Sequence, residues 1–307
     1  MPVDRSYTYT LANDVLEVTV SVIGASIVSF KARVSNNWVD IMPPASDSLS
    51  ASSFLMVPYS NRIRNGELIM NNQSFKLSFP EKHAIHGDVR NRPWFCCRTS
   101  PKNKLTYFCF KFDSADIESR TSSQDWNWPY RISCCTEFTL DKNTLTQKVS
   151  IQNLDRPDQW IGGGFHPYFC RHGAEPKIEF SCKGIYPGSS DVPTIPAGPP
   201  QPIPSDLDFH TAKPFQKEMD YCYSGFDGHA SILYPDLNMK VSIQTSPNVK
   251  HFIAYNPMDK PFFALEPVVN ANDAFNLMKN FGIDSGLFKL AHNETLTFEM
   301  SITVDTL

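Results

Sequence analysis

The sequence contains no apolar run approaching the roughly 18 residues needed to span a bilayer. Its first residues, MPVDRSYTYT, lack the charged-then-apolar pattern of a secretory signal. No basic block is present and the formal net charge is −4, so nothing is built to neutralise a nucleic-acid backbone. The one local cluster, Arg62, Arg64, Arg90 and Arg92, is small and mixed with glycine and asparagine. There is no C-x-x-C pair. The eight cysteines include two vicinal sets, Cys96-Cys97 and Cys134-Cys135, which read as reduced thiols packed as small hydrophobes, not as a zinc or disulfide framework. A nucleophile elbow, a phosphate loop and a dinucleotide fingerprint are all missing. These absences lead to the expectation of a cytoplasmic protein with no membrane or nucleic-acid partner.

Helical periodicity is equally scarce, and Asp273 to Lys279 alone predicts a short helix, capped near Asn272. Period-two alternation dominates instead. Leu16, Val18, Val20 and Val22 alternate with Glu17, Thr19 and Ser21; Met239, Val241 and Ile243 alternate with Lys240 and Ser242. Leu145 to Ile151 follows the same pattern, as do Leu296, Phe298, Met300, Ile302 and Val304. Each such run is a strand with one buried and one wetter face. With 24 prolines and 14 glycines between them in 307 residues, many short strands predict an all-β sandwich or barrel. The proline-rich stretch 187–214 cannot lie in a central sheet. It reads as a surface excursion within one domain, 1–307, since alternation continues on both sides; a linker between two domains is the alternative.

Few residues stand out as chemistry. His166 lies in Gly162-Gly163-Gly164-Phe165-His166-Pro167-Tyr168-Phe169, where glycine permits close backbone approach and aromatics can wall a pocket. It is either a proton-transfer group near neutral pH or a strand-end histidine bonded to backbone. Glu266 follows the apolar run Phe262 to Leu265 and precedes Pro267. Burial there would make it a stronger base than an exposed carboxylate, and a salt-bridged strand end is the alternative. Arg62 offers a fork of donors for hydroxyls, or is an ordinary surface arginine. Asp220 is acidic amid aromatics. His83 and His86 form an H-x-x-H pair with no third ligand evident nearby, so no metal site is expected. His251 reads as a satisfied core residue; His172, His210, His229 and His292 read as surface or structural.

Four blocks, taken in order, give these residues a context: Asn61-Arg62-Ile63-Arg64-Asn65-Gly66, Ile85-His86-Gly87, Gly164-Phe165-His166-Pro167-Tyr168-Phe169 and Leu265-Glu266-Pro267. In them, and in Trp128-Pro129-Tyr130 and the strand Leu145 to Asn153, the chain resembles the aldose 1-epimerase (galactose mutarotase) family over nearly its whole length. The resemblance implies a large antiparallel β-sandwich, the galactose mutarotase-like supersandwich, with an aldohexose held on one concave sheet. By the family's pattern, His166 would protonate the ring oxygen as general acid and Glu266 would take the anomeric hydroxyl proton as general base. Arg62 and His86, with Asn61 beside them, would hold the sugar, and Asp220 would accept from its hydroxyls, with Asp227 in reserve. Neither metal nor organic cofactor is implied; the expected partner is a small sugar, the expected state a monomer or homodimer.

Two arginines in Asp88-Val89-Arg90-Asn91-Arg92-Pro93-Trp94 depart from that pattern. They are reminiscent of the neighbouring hexose-phosphate epimerases, whose upstream glycine–isoleucine–proline block is replaced here by Asn61-Arg62, which favours an unphosphorylated sugar. A sugar-binding protein without catalysis is a further alternative. A lyase or hydrolase would need a second carboxylate facing Glu266, and the sequence singles out none.

Overall fold

The computed structural model describes residues 7–78, 82–99, 107–114 and 127–307. The alternating segments form strands where expected: Leu16–Ser21, Thr144–Asn153, Met239–Thr245 and Thr295–Thr306. In Thr295–Thr306 every second side chain from Leu296 to Val304 is buried, the burial that the spacing requires.

Two large antiparallel sheets carry the fold. The first runs Thr8–Ala12, Leu16–Ser21, Ile27–Val34, Ser53–Met56, Gly164–Cys170, Phe262–Val268, His251–Asn256, Met219–Ser224, Gly184–Ile185, with Asn37–Met42 added beside Ile27–Val34. The second runs Lys177–Phe180, His229–Tyr234, Met239–Thr245, Thr295–Thr306, Thr144–Asn153, Ile132–Asp141, Tyr107–Asp113, Phe95–Thr99. Phe165 of the first sheet meets Phe298 of the second edge-to-face, ring centres 5.3 Å apart. Both are fully buried, and each such ring contributes roughly 1.5–3 kcal/mol through burial. Of the sandwich and the barrel that the alternation left open, the fold is the all-β sandwich that the family resemblance implies.

Because side chains alternate along a strand, the first sheet has a second lined face. Phe165 and Phe169 point into the inter-sheet core, which leaves His166 and Tyr168 on the opposite side. A separate apolar cluster covers that side and includes Phe54, Met56, Cys222, Ile253 and Val268.

The predicted helix is Ala274–Phe281, which starts one residue later and ends two residues later than the sequence suggested. Its N-cap is Asp273, in left-handed backbone, rather than Asn272; the Asn272 side chain donates instead to the Thr194 carbonyl at 3.0 Å. Gly282 ends the helix with φ 62°, its N–H donating to the Met278 carbonyl, a conformation suited to glycine. The proline-rich excursion is irregular; bridges Ile185↔Gln201 and Ile178↔Lys213 tie it back to the two sheets, and Gly188↔Pro196 closes a turn within it. Arg64 anchors it from the other side, bonding Asp191 at 2.7 Å and Ser189 at 2.8 Å. No helix among the described residues is long and apolar enough to cross a membrane.

Candidate active site

Strands Gly164–Cys170 and Phe262–Val268 are antiparallel neighbours, with Gly164 opposite Val268 and Tyr168 opposite Ala264. That register sets His166 across from Glu266 on the same face. Gly164 makes the approach possible, since a Cβ there would lie 2.5 Å from Val268 Cγ1 and 2.9 Å from its Cα. His166 Nε2 and Glu266 Oε1 are 3.0 Å apart, and the two side chains are only 4 % and 2 % exposed.

Burial opposes charge on both groups. It lowers the His166 imidazole to about 3, with the Arg90 cation adding to the effect. It raises the Glu266 carboxyl well above its usual range, and the negative charge of Asp220 pushes the same way. Both shifts favour the uncharged forms, a neutral imidazole facing a carboxylic acid placed to donate to its Nε2.

An aromatic wall fixes the imidazole. Phe54 stacks on His166 at 4.4 Å, Tyr168 lies at 4.6 Å, and His86 meets it edge-on at 4.9 Å. His86 reaches this position through an unusual turn: His83, Ala84, Ile85 and His86 all have left-handed backbone, φ 54°, 66°, 43° and 60°. Non-glycine residues rarely adopt that region, and such strain concentrates at functional sites. Gly87 continues the turn at φ 72°, where a Cβ would sit 2.5 Å from both the Val57 nitrogen and oxygen. Burial and the nearby His166, Arg90 and Arg62 push the His86 imidazole well down, so it is neutral.

The Arg62 loop is locked by a segment 210 residues away. Asn270 Oδ1 accepts from the Ser60 and Gly163 N–H groups at 3.0 and 2.9 Å, while Ser60 Oγ donates to the Asn270 carbonyl. The Asp273 N–H donates to the Arg62 carbonyl, and the Asp273 carboxylate accepts from the Arg64 N–H. Asn61 sits in left-handed backbone, φ 58°, in the same turn and is 5 % exposed. Arg62 is half-buried; one terminal nitrogen donates to the Lys82 carbonyl at 3.0 Å. Asp220 lies on Met219–Ser224, two strands from Glu266. Burial raises its carboxyl to about 6, partly countered by the Arg62 cation.

Four buried polar atoms here have no protein partner: Arg62 Nε, His86 Nδ1, His166 Nδ1 and Glu266 Oε2. They are half of the eight such atoms among the described residues, a local excess that points to a polar ligand.

His166, Glu266, His86, Arg62 and Asp220 thus converge. Asp227 does not: it is exposed and accepts from the His229 N–H in a turn leading to the second sheet. His83 accepts from the Asn65 N–H through Nδ1 instead of pairing with His86. His251 is buried and bonded to the Val269 carbonyl and the Tyr186 hydroxyl, as a core residue should be. Sequence reasoning missed Phe54 and Asn270. Phe54 carries no local motif. Asn270, polar between Val269 and Ala271, is a buried amide that had to be bonded, and that signal was readable.

A profile of the aldose 1-epimerase family matches residues 7–303. The chain belongs to the aldose 1-epimerase family. It is 26% identical to the uncharacterized protein YphB of Escherichia coli K12, over 97% of this chain and 99% of that one. Among solved structures, a putative aldose 1-epimerase from Escherichia coli K12 superposes with a TM-score of 0.82 at 24% identity, covering 98% and 99% of the two chains. A galactose mutarotase-like protein from Clostridium acetobutylicum gives 0.83 at 16% identity, covering 97% and 95%. The fold is the galactose mutarotase-like β-sandwich.

Proposed function

We propose that the protein is a mutarotase interconverting the α and β anomers of an aldose, with His166 and Glu266 as its acid–base pair. The observation that carries this reading is their 3.0 Å contact in a nearly water-free setting, ringed by unpartnered polar atoms. The ring oxygen and the anomeric hydroxyl of a sugar share one carbon, so two groups in mutual contact can serve both. Moving the shared proton from Glu266 to His166 creates a carboxylate base and an imidazolium acid without changing net charge. The carboxylate takes the anomeric proton while the imidazolium protonates the ring oxygen; the C–O bond to the ring breaks and an aldehyde forms. The pair is then back in its resting protonation, neutral imidazole and carboxylic acid. Rotation about the bond next to the aldehyde and reversal of the two transfers give either anomer. Arg62, His86 and Asp220 hold hydroxyls, with Asn61 at the edge of the site, and no cofactor takes part in this scheme.

A second reading concerns the sugar. Arg90 is partly buried, its guanidinium 4.9 Å over the Phe54 ring, and it makes no ion pair with a described residue. A cation beside the site with no acidic partner among the described residues favours a substrate carrying an anionic substituent, such as a sugar phosphate or uronic acid. Polarimetry of freshly dissolved α-galactose, α-glucose and glucose 6-phosphate tests both readings. Accelerated decay of rotation, lost in His166→Asn, supports the mutarotase. No acceleration with any aldose or its phosphate, while sugar still binds, would leave a sugar-binding protein. Preference for the phosphate that vanishes in Arg90→Met supports the anionic substrate.

A further inference from the structure

The second sheet ends in three neighbouring strands, Ile132–Asp141, Tyr107–Asp113 and Phe95–Thr99. On the middle strand Phe108, Phe110 and Phe112 fill the core, so Cys109 points to the outer face. On Ile132–Asp141 the vicinal pair divides between faces: Cys134 is buried against the core and Cys135 lies outside, partly exposed. On the edge strand Cys96 pairs with Phe110 and Arg98 with Cys109, which leaves Cys97 as the extra residue of a β-bulge. A bulge redirects a side chain, and here it turns Cys97 onto the same outer face. Cys97 Sγ lies 2.9 Å from Cys109 Sγ, and Cys109 Sγ lies 3.2 Å from Cys135 Sγ. Three thiols from three strands thus touch through one central sulfur. Cys97 is exposed and Cys109 is 7 % exposed.

We propose that Cys97, Cys109 and Cys135 form an oxidation site, at which a hydroperoxide closes a Cys97–Cys109 disulfide that Cys135 can then exchange into. The Cys97 sulfur attacks the peroxide; the O–O bond breaks, an alcohol or water leaves, and Cys97 becomes a sulfenic acid. The Cys109 sulfur attacks the Cys97 sulfur, and the sulfenic oxygen departs as water carrying the Cys109 proton. Two thiols have lost two electrons and the peroxide has gained them. Attack of Cys135 on the Cys109 sulfur then moves the bond to Cys109–Cys135 and returns Cys97 as a thiol, with no net redox change. Burial keeps the Cys109 thiol protonated, so Cys97, at the surface, is the sulfur that meets the oxidant. The central position of Cys109 makes it the shared member of both bonds. The site lies on the sheet that carries neither His166 nor Glu266, so it stands independently of the mutarotase reading.

The test is hydrogen peroxide titration of the full chain, with thiols counted under denaturing conditions and linked peptides mapped by mass spectrometry. Wild type should fall from eight free thiols to six, with Cys97 or Cys135 joined to Cys109. Cys135→Ser should still form the Cys97–Cys109 bond. Cys109→Ser should form neither bond and should accumulate a dimedone-reactive sulfenic acid at Cys97; Cys109→Ala repeats the test with a different buried side chain. Retention of all eight thiols, bonds mapping to other cysteines, or loss of two thiols in both Cys109 variants would overturn the proposal.

Discussion

Replacing Glu266 by glutamine should separate catalysis from stability in a single side chain. Glutamine keeps the shape, and its amide can still donate across the 3.0 Å contact to His166 Nε2, but it cannot accept the anomeric proton. A positioned base is worth roughly 10²- to 10⁴-fold, so kcat/KM should fall by that factor, about 3–5 kcal/mol of transition-state stabilisation. Stability should move the other way. The native carboxyl titrates well above its usual 4.5 because it is buried beside Asp220. A raised carboxyl contributes stability that is fully present below the unfolded value and is lost as pH rises through the folded value. Between those limits wild type should lose about 1.4 kcal/mol per pH unit from this group, and the glutamine variant should not. Denaturant unfolding of both proteins from about pH 5 to 8 should therefore show the variant gaining on wild type as pH rises. Activity within tenfold of wild type, or a stability difference that is flat with pH, would refute the reasoning.

Other outcomes follow from the same geometry. Because burial holds His166 neutral down to about 3, the acid limb of kcat/KM should lie well below the free imidazole value of 6.5, and a midpoint near 6.5 would contradict the resting pair described above. The Asp220 carboxyl titrates at about 6; KM for the sugar should fall as pH rises through that value, when the carboxylate forms and accepts from a hydroxyl. Asp220→Asn should raise KM and abolish the inflection in initial-rate measurements. Gly164→Ala places a methyl against Val268 and should cost about 1–3 kcal/mol through overpacking, read as a lower unfolding midpoint. It should also lower kcat by prising apart the strands that carry His166 and Glu266.

The β-class of the fold was legible because period-two alternation is a local property. Leu296 to Val304 announces which face of its strand is buried without reference to any other residue, and the same holds for Leu16, Met239 and Leu145 with their neighbours. His166 and Glu266 were legible as candidates for a similar reason, one among glycines and aromatics, the other closing an apolar run. Caps and turns were less so: the helix begins one residue later than Asn272 suggested because the Asp273 carboxylate accepts from the Arg64 N–H, a partner 209 residues away. Strand order is likewise non-local. Alternation says which side of a strand a residue occupies but not which strand lies beside it, since pairing is decided by packing across the whole sandwich. Only the sheet order brings His166 against Glu266, sets Phe54 on the imidazole, bonds Asn270 to the Arg62 loop and gathers Cys97, Cys109 and Cys135 on one face. The burial that shifts the proton affinities of the pair arises from that assembly, because desolvation belongs to the surroundings of a residue and not to the residue itself.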